Sequence, residues 1–131
     1  MPAYGIDTSV FVRLLTGLPE ADFRTTVEKL TAIQSAQAEP LVVTNIVIAE
    51  AYAVVQHHYG VSKADARSAL RSVLTSGLVE PAAGQAALDA IASTKEPGLT
   101  DRLILLDHAQ LRLALLTHDK KLSAQSGARR L

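Results

Sequence analysis

The chain has 131 residues, no cysteine and a formal net charge of zero. This length suits a single domain over residues 1–131, and the lack of cysteine excludes disulfides and cysteine-bound zinc. The zero net charge argues against a protein that holds nucleic acid by non-specific electrostatic attraction alone.

The N-terminal residues MPAYGIDTSVF lack the basic and then apolar pattern of a signal peptide. No apolar run reaches the roughly 20 residues that span a bilayer. We therefore expect a cytoplasmic protein that makes no membrane contact.

Short apolar runs predict strands that alternate with helices along the chain. In order, the predicted strands are residues 4–6, 41–43, 78–80 and 114–117, with a short edge strand at 129–131. Apolar residues that recur every three or four positions predict helices over 8–15, 23–33, 46–59, 62–74, 81–94 and 99–111. A short helix is expected after residue 119.

Capping residues and helix breakers mark the ends of several of these elements. Thr44 stands where an N-cap belongs, and Ser62 with Asp65 resembles a capping box. Pro81 suits the first turn of a helix, and Gly17 ends the first one. Strands separated by helices predict an α/β fold, a three-layer α/β/α sandwich with a mostly parallel sheet of four to five strands.

Four acids fall at related places in this layout. Asp7 and Asp119 follow predicted strands directly, and the carboxyl ends of parallel strands share one edge, where ligands bind in such folds. Asp101 lies in the first turn of a helix. Glu50 lies on a helix that leaves the same edge and interrupts an apolar stretch, where an unpaired carboxylate is costly.

Each acid alone has an ordinary structural role, as a helix cap, a turn residue or a surface charge. Together they predict a metal site, because two carboxylates about 5 Å apart repel by roughly 3 kcal/mol at an effective dielectric of 20. Oxygen ligands without cysteine select Mg²⁺ or Mn²⁺. Such ions activate water and neutralise charge that develops on a phosphoryl group.

The chain resembles the PIN-domain family and, within it, VapC-type toxin ribonucleases of toxin–antitoxin pairs. The matching motifs contain the four acids and are IDTSVF (6–11), TNIVIAE (44–50), LTDRLI (99–104) and LTHD (116–119). The resemblance implies a metal-dependent endoribonuclease that hydrolyses RNA phosphodiester bonds, with Asp7, Glu50, Asp101 and Asp119 as catalytic residues and ligands of Mg²⁺ or Mn²⁺.

Two hydroxyl residues match supporting positions of the family. Ser9 and Thr117 are expected to orient the carboxylates by hydrogen bonding. Arg102 departs from the family pattern, which usually has a small residue after the third acid. Leu122 also departs from it, since the family frequently has an aromatic residue at this position after the last acid.

RNA and protein partners are expected as well. Arg13, Lys120 and Lys121 are candidates for contacts to the RNA backbone. The apolar faces of the helices at 8–15, 21–37 and 46–59 predict a groove that receives an amphipathic partner helix. The resemblance implies a VapB-like antitoxin in that role, and a homodimer.

Two other functions fit parts of the pattern. A doubly wound phosphoryl-transfer enzyme or receiver domain also gathers acids at strand ends. However, a haloacid-dehalogenase-like phosphatase needs a second Asp two residues after the first, and that position is Ser9. A receiver needs a phospho-accepting Asp after a middle strand, and neither predicted strand, 41–43 or 78–80, ends in Asp. A non-catalytic PIN-like module that binds RNA or protein is the second alternative, and the four intact acids argue against it.

Overall fold

Helices make up most of the chain. A computed structural model describes residues 3–131. Its helices are α1 Thr8–Thr16, α2 Glu20–Gln37, α3 Asn45–His57, α4 Lys63–Leu74, α5 Gln85–Ala92, α6 Leu99–Gln110 and α7 Lys120–Ser123. Its strands are β1 Leu41–Val43, β2 Val79–Pro81, β3 Leu115–Thr117 and β4 Ala128–Arg130.

Helix caps lie where the sequence predicts them. The Ser62 hydroxyl accepts a 3.1 Å hydrogen bond from the Asp65 amide at the start of α4, which supplies half of the predicted capping box. Thr44 is the N-cap of α3, although its side chain makes no capping bond. Gly17 ends α1 with φ of 66°, a left-handed conformation that glycine adopts without strain.

The strands are short and all pair in parallel. β1 pairs with β2, and β3 pairs with β4. Residues 4–6, predicted to form a strand, join the other edge of β1 through one bridge between Gly5 and Val42. There the Ile6 amide donates to the Val42 carbonyl at 3.0 Å, and the Val42 amide donates to the Tyr4 carbonyl at 2.9 Å.

The sheet differs from the prediction of one sheet with four to five strands. Within residues 3–131 the strands form two separate two-stranded sheets. Each strand has three residues, so each pairing rests on few ladder hydrogen bonds. Residues 4–6 and β3 are each paired on one side, and no backbone hydrogen bond in this part of the chain connects them.

Pro81 is not part of the helix that it was predicted to start. It is the last residue of β2, where it pairs with Val43 and is buried. Helix α5 begins four residues later, after Gly84, whose φ is 62°. The prediction that Pro81 starts this helix was therefore wrong, because the pairing with β1 extends the strand through the proline at its end.

The main core lies between the helices and the β1–β2 sheet. It is aliphatic apart from Phe11 and Tyr52, in keeping with an aromatic content of 4%. Leu115 and Leu122 of the C-terminal β3–α7–β4 unit are buried but do not belong to this core. None of the helices in residues 3–131 has the length and apolar character that crossing a membrane requires.

Candidate active site

Asp7 follows the bridge to β1 and is the N-cap of α1. Its Oδ1 accepts a 2.7 Å hydrogen bond from the Ser9 hydroxyl and a 3.2 Å hydrogen bond from the Val10 amide. The Ser9 hydroxyl, and then the Val10 amide, lower the pKa of the Asp7 carboxyl below its ordinary value. The exposed side chain is therefore an ionised carboxylate at neutral pH, held in one orientation.

Asp119 has the same kind of position in the C-terminal unit. It follows β3 and is the N-cap of α7, and its Oδ1 accepts a 2.7 Å hydrogen bond from the Leu122 amide. The Thr117 hydroxyl accepts a 3.0 Å hydrogen bond from the Asp119 amide. Thr117 thus fixes the backbone at Asp119, whereas Ser9 contacts the Asp7 carboxylate itself.

Glu50 lies on the exposed side of α3. The buried side of this helix is formed by Asn45, Ile48, Ala51, Tyr52 and Val55. The buried apolar residues of α3 therefore face away from Glu50, and Ile46, one turn before it, is itself 72% exposed. The carboxylate of Glu50 keeps its contact with water. The desolvation argument for a metal at Glu50 does not hold, and its place in the site rests on the motif.

Asp101 is half-buried in the first turn of α6. It lines a cleft of ≈ 410 Å³ together with Tyr52 of α3, Arg67 of α4 and the loop before α6. Asp101 therefore differs from the other three acids, which are exposed, in being half-buried and in lining this cleft.

The four acids do not form a cluster in this structure. In the portion of the chain from residue 3 to residue 131, no three His, Cys, Asp or Glu side chains come close enough to hold a metal ion. Asp7 and Asp119 follow segments of the two separate sheets, whereas the prediction that they lie together assumed one sheet.

The residues predicted to contact RNA lie in two places. Arg13 forms a 3.3 Å ion pair with Asp22, so its positive charge is already partly neutralised by an acid. Lys120 and Lys121 are exposed on α7, directly after Asp119.

Arg102, the departure from the family pattern, has a structural role. Its Nε donates to the Pro97 carbonyl at 2.9 Å, and its Nη2 donates to the carbonyls of Lys95 and Glu96 at 3.2 Å and 3.3 Å. One guanidinium thus holds the loop before α6. The sequence marked Arg102 as unusual but gave no sign of these partners, which lie five to seven residues before it.

A family comparison relates these features to known proteins. The family model described as PIN domain matches residues 4–127, which include all four acids. The chain belongs to the PIN-domain family. PIN domains are generally nucleases and generally use divalent metal ions. No curated protein and no solved structure matches the chain.

Proposed function

We propose that this PIN domain is a Mg²⁺- or Mn²⁺-dependent endoribonuclease. Its catalytic and metal-binding residues are Asp7, Glu50, Asp101 and Asp119, and its substrate is an RNA phosphodiester bond. The family match supports nuclease activity, since it spans residues 4–127. Each of the four sequence motifs in that range contains an acid. RNA as the substrate, and the toxin role below, rest on the resemblance to VapC-type proteins.

The geometry of Asp7 carries the proposal. An exposed carboxylate that is held by a hydroxyl and a backbone amide, and kept ionised by them, suits the role of a metal ligand. Its Oδ1 receives both hydrogen bonds, and no hydrogen bond to Oδ2 occurs among the residues described. Oδ2 is therefore available to a cation.

The donor chemistry fits a divalent ion, because all four positions supply carboxylate oxygen. The proposal also requires Asp119 to lie beside Asp7, which the structure does not show. Joining residues 4–6 to β3 would give one parallel sheet of five short strands between layers of helices. Gly5 and Leu116 are exposed on the edges that would meet, and Leu116 is 59% exposed.

The residues of the chain have distinct parts in this proposal. Ser9 fixes the Asp7 carboxylate, and Thr117 fixes the turn that presents Asp119. When bound, a divalent ion would supply water activation and neutralise negative charge at the phosphate. Lys120 and Lys121 beside Asp119 would attract the RNA backbone.

The cleavage assay is direct. Purified protein is incubated with total RNA in Mg²⁺, in Mn²⁺ and in EDTA, and the products are separated by size. We expect cleavage with either ion and none in EDTA. Intact RNA under all conditions, with the protein folded by circular dichroism, would overturn the proposal.

We further propose that this PIN domain is the toxin of a VapBC-type pair and is held inactive by a VapB-like antitoxin. An apolar groove of ≈ 240 Å³ supports this, since Leu15 and Leu18 line it together with Val55 of α3 and Tyr59 of the turn after α3. Leu18 is 56% exposed and Tyr59 is 47% exposed. An amphipathic helix would bury both side chains.

This partner proposal is tested with the product of the adjacent upstream reading frame. Co-expression should yield a stable complex that cleaves no RNA, and Leu18→Arg should dissociate it. A complex of unchanged affinity in Leu18→Arg would exclude this groove.

A homodimer is also proposed, because Leu111 and Leu113 between α6 and β3 are 71% and 53% exposed. Light scattering on the purified chain should give twice the monomer mass. A monomer at all concentrations up to about 100 μM, which corresponds to a binding free energy weaker than about −5.5 kcal/mol, would contradict this proposal.

The absence of a three-acid cluster within residues 3–131 favours a second candidate, a PIN-like module that binds RNA or protein without cleaving it. Binding of labelled RNA without cleavage in Mg²⁺ or Mn²⁺ would support this candidate. Metal-dependent cleavage would exclude it.

A further inference from the structure

The cleft beside Asp101 carries more positive charge than the protein as a whole. The cleft is lined by three cations, Lys63 and Arg67 of α4 and Lys95 of the loop before α6. It is lined by two acids, Glu96 and Asp101. The ion pairs found in residues 3–131 are Arg13–Asp22 and Arg24–Glu20. None of the three cations of the cleft is therefore paired with an acid in that part of the chain.

The two cations of α4 belong to a longer row. Lys63, Arg67 and Arg71 are spaced by four residues, so they follow one side of the helix at steps of about 6 Å. Arg67 and Arg71 also line a neighbouring cleft of ≈ 240 Å³. The positive charge thus extends from Asp101 along α4 and suits a ligand with repeated negative charge.

The loop that carries Lys95 is fixed before any ligand binds. Arg102 donates hydrogen bonds to three consecutive carbonyls of this loop, at Lys95, Glu96 and Pro97. Pro97 of this loop is fully buried. Lys95 is therefore presented by an ordered segment, which lowers the entropy lost when a ligand binds.

Polar side chains complete the cleft. Ser93, Thr94 and Thr100 contribute hydroxyl groups that can donate to phosphate oxygens. The first turn of α6 also lines the cleft. Its N-cap is Gly98, which has no side chain to cap the helix. A helix N-terminus favours negative charge, although Asp101 in the same turn offsets part of this effect.

We infer that this cleft and the row along α4 bind the phosphodiester backbone of the RNA substrate next to Asp101. This inference rests on the proposed function, and it names Lys63, Arg67, Arg71 and Lys95 as the phosphate contacts. The RNA contacts predicted from the sequence are Arg13, Lys120 and Lys121, so the row along α4 is an additional site.

The test measures binding separately from cleavage. Fluorescence anisotropy follows a labelled single-stranded RNA of mixed sequence in EDTA, at a series of KCl concentrations. The variants are Arg67→Gln and Lys95→Gln, with Lys29→Gln as the matched control. Lys29 is an exposed cation of α2 and lies outside both clefts.

We expect Arg67→Gln and Lys95→Gln each to weaken binding several-fold at low salt. Each should also reduce the slope of log K against log salt by about 0.7, the value for one phosphate contact on a single strand. Lys29→Gln should leave both quantities unchanged. Arg67→Lys should keep most of the slope, because it keeps the charge, and this would separate a phosphate contact from a merely structural role.

The possible failures are distinguishable. A slope unchanged in both Arg67→Gln and Lys95→Gln, or the absence of RNA binding by the wild-type chain, would overturn this inference. Binding that depends on the cleft without cleavage in Mg²⁺ or Mn²⁺ would support the inference and overturn the proposed nuclease activity. Cleavage by the wild-type chain, with salt slopes equal to wild type in both variants, would support the proposed nuclease activity and overturn this inference.

Discussion

The side-chain amide of Asn45 donates a 2.9 Å hydrogen bond to Oδ1 of Asp107. This bond joins the first residue of α3 to the last turn of α6. Asn45 is 6% exposed and is the buried polar residue of the core within residues 3–131. Because α3 carries Glu50 and α6 carries Asp101, the bond helps to fix two helices of the candidate site relative to each other.

Removal of this bond should destabilise the fold. Asp107→Ala leaves the buried Asn45 amide without its partner, which costs about 1–3 kcal/mol. Urea unfolding should show this loss as a lower midpoint with an unchanged slope. Asp89→Ala removes an exposed acid of α5 that accepts a hydrogen bond from Gln85 and should cost less than about 0.5 kcal/mol. Equal losses of unfolding free energy in Asp107→Ala and Asp89→Ala would show that the hydrogen bond from Asn45 to Asp107 does not stabilise the fold.

The hydroxyl of Ser9 should control the ionisation of Asp7. Because this hydroxyl is the main cause of the lowered pKa of Asp7, Ser9→Ala should raise that pKa toward its ordinary value. A pH titration of the Asp7 carboxyl carbon by NMR measures the shift directly. Ser68→Ala, a change at an exposed serine of α4, should leave the titration unchanged.

The same pair predicts a pH dependence of stability. A carboxyl with a pKa lowered by folding stabilises the native state above its unfolded pKa, and this contribution is lost as the pH falls through the folded pKa. Ser9→Ala should therefore lower the free energy of unfolding at neutral pH. Its difference from wild type should shrink as Asp7 becomes protonated. A difference that stays constant down to pH 2 would contradict this role.

Local features of the fold could be predicted from the sequence, whereas the strand pairing could not. The caps at Ser62 and Asp7 depend on residues two or three positions away, so the pattern contains their partners. The grouping of three-residue strands into sheets depends on contacts between distant segments. The prediction that Pro81 starts a helix failed for the same reason, since its partner Val43 lies 38 residues earlier, from position 43 to position 81.

In the candidate site, too, local features could be predicted from the sequence, whereas features that depend on packing could not. The motifs identified the four acids and the hydroxyl of Ser9, whose hydrogen bond to Asp7 is local. The environment of Glu50 depended on which side of α3 packs against the core, and the apolar sequence around it was misleading. The partners of Arg102 are backbone carbonyls, which no pattern of side chains reveals.

Arg102 should keep the loop before α6 ordered. Arg102→Ala removes charge-assisted hydrogen bonds to three carbonyls, and we expect it to lower stability by about 1.5–3 kcal/mol. Hydrogen exchange at residues 93–98 should become faster than in wild type. Arg102→Lys should restore only part of the protection, because an ammonium group lacks the planar fork that reaches several carbonyls. Protection equal to wild type in Arg102→Ala would rule out this role.

The amides of Gly5 and Leu116 test whether the two sheets join. Tyr4 and Ile6 point their backbone groups at β1. Leu115 and Thr117 point theirs at β4. The amides between these residues therefore face the opposite edges.

If residues 4–6 and β3 pair in one sheet, both amides should be protected from hydrogen exchange in the wild-type protein. Fast exchange at both positions, with and without Mg²⁺, would show that the sheets stay apart and that Asp7 and Asp119 share no ion. The amide of Ile6, which donates to Val42, serves as the internal reference for a protected position.

The most direct test of the account is RNA cleavage by Asp7→Asn in the presence of Mn²⁺. Asparagine is also a good N-cap, so the variant should keep the fold and lose only the small stability that the ionised carboxylate contributes. We expect its cleavage rate to fall by at least about 100-fold, the upper range for the loss of a group that supports a metal site. Asp65→Asn, an exposed first-turn acid of α4 outside the motifs, should cleave at the wild-type rate. Cleavage by folded Asp7→Asn at the rate of wild type would contradict the assignment of Asp7 to the active site.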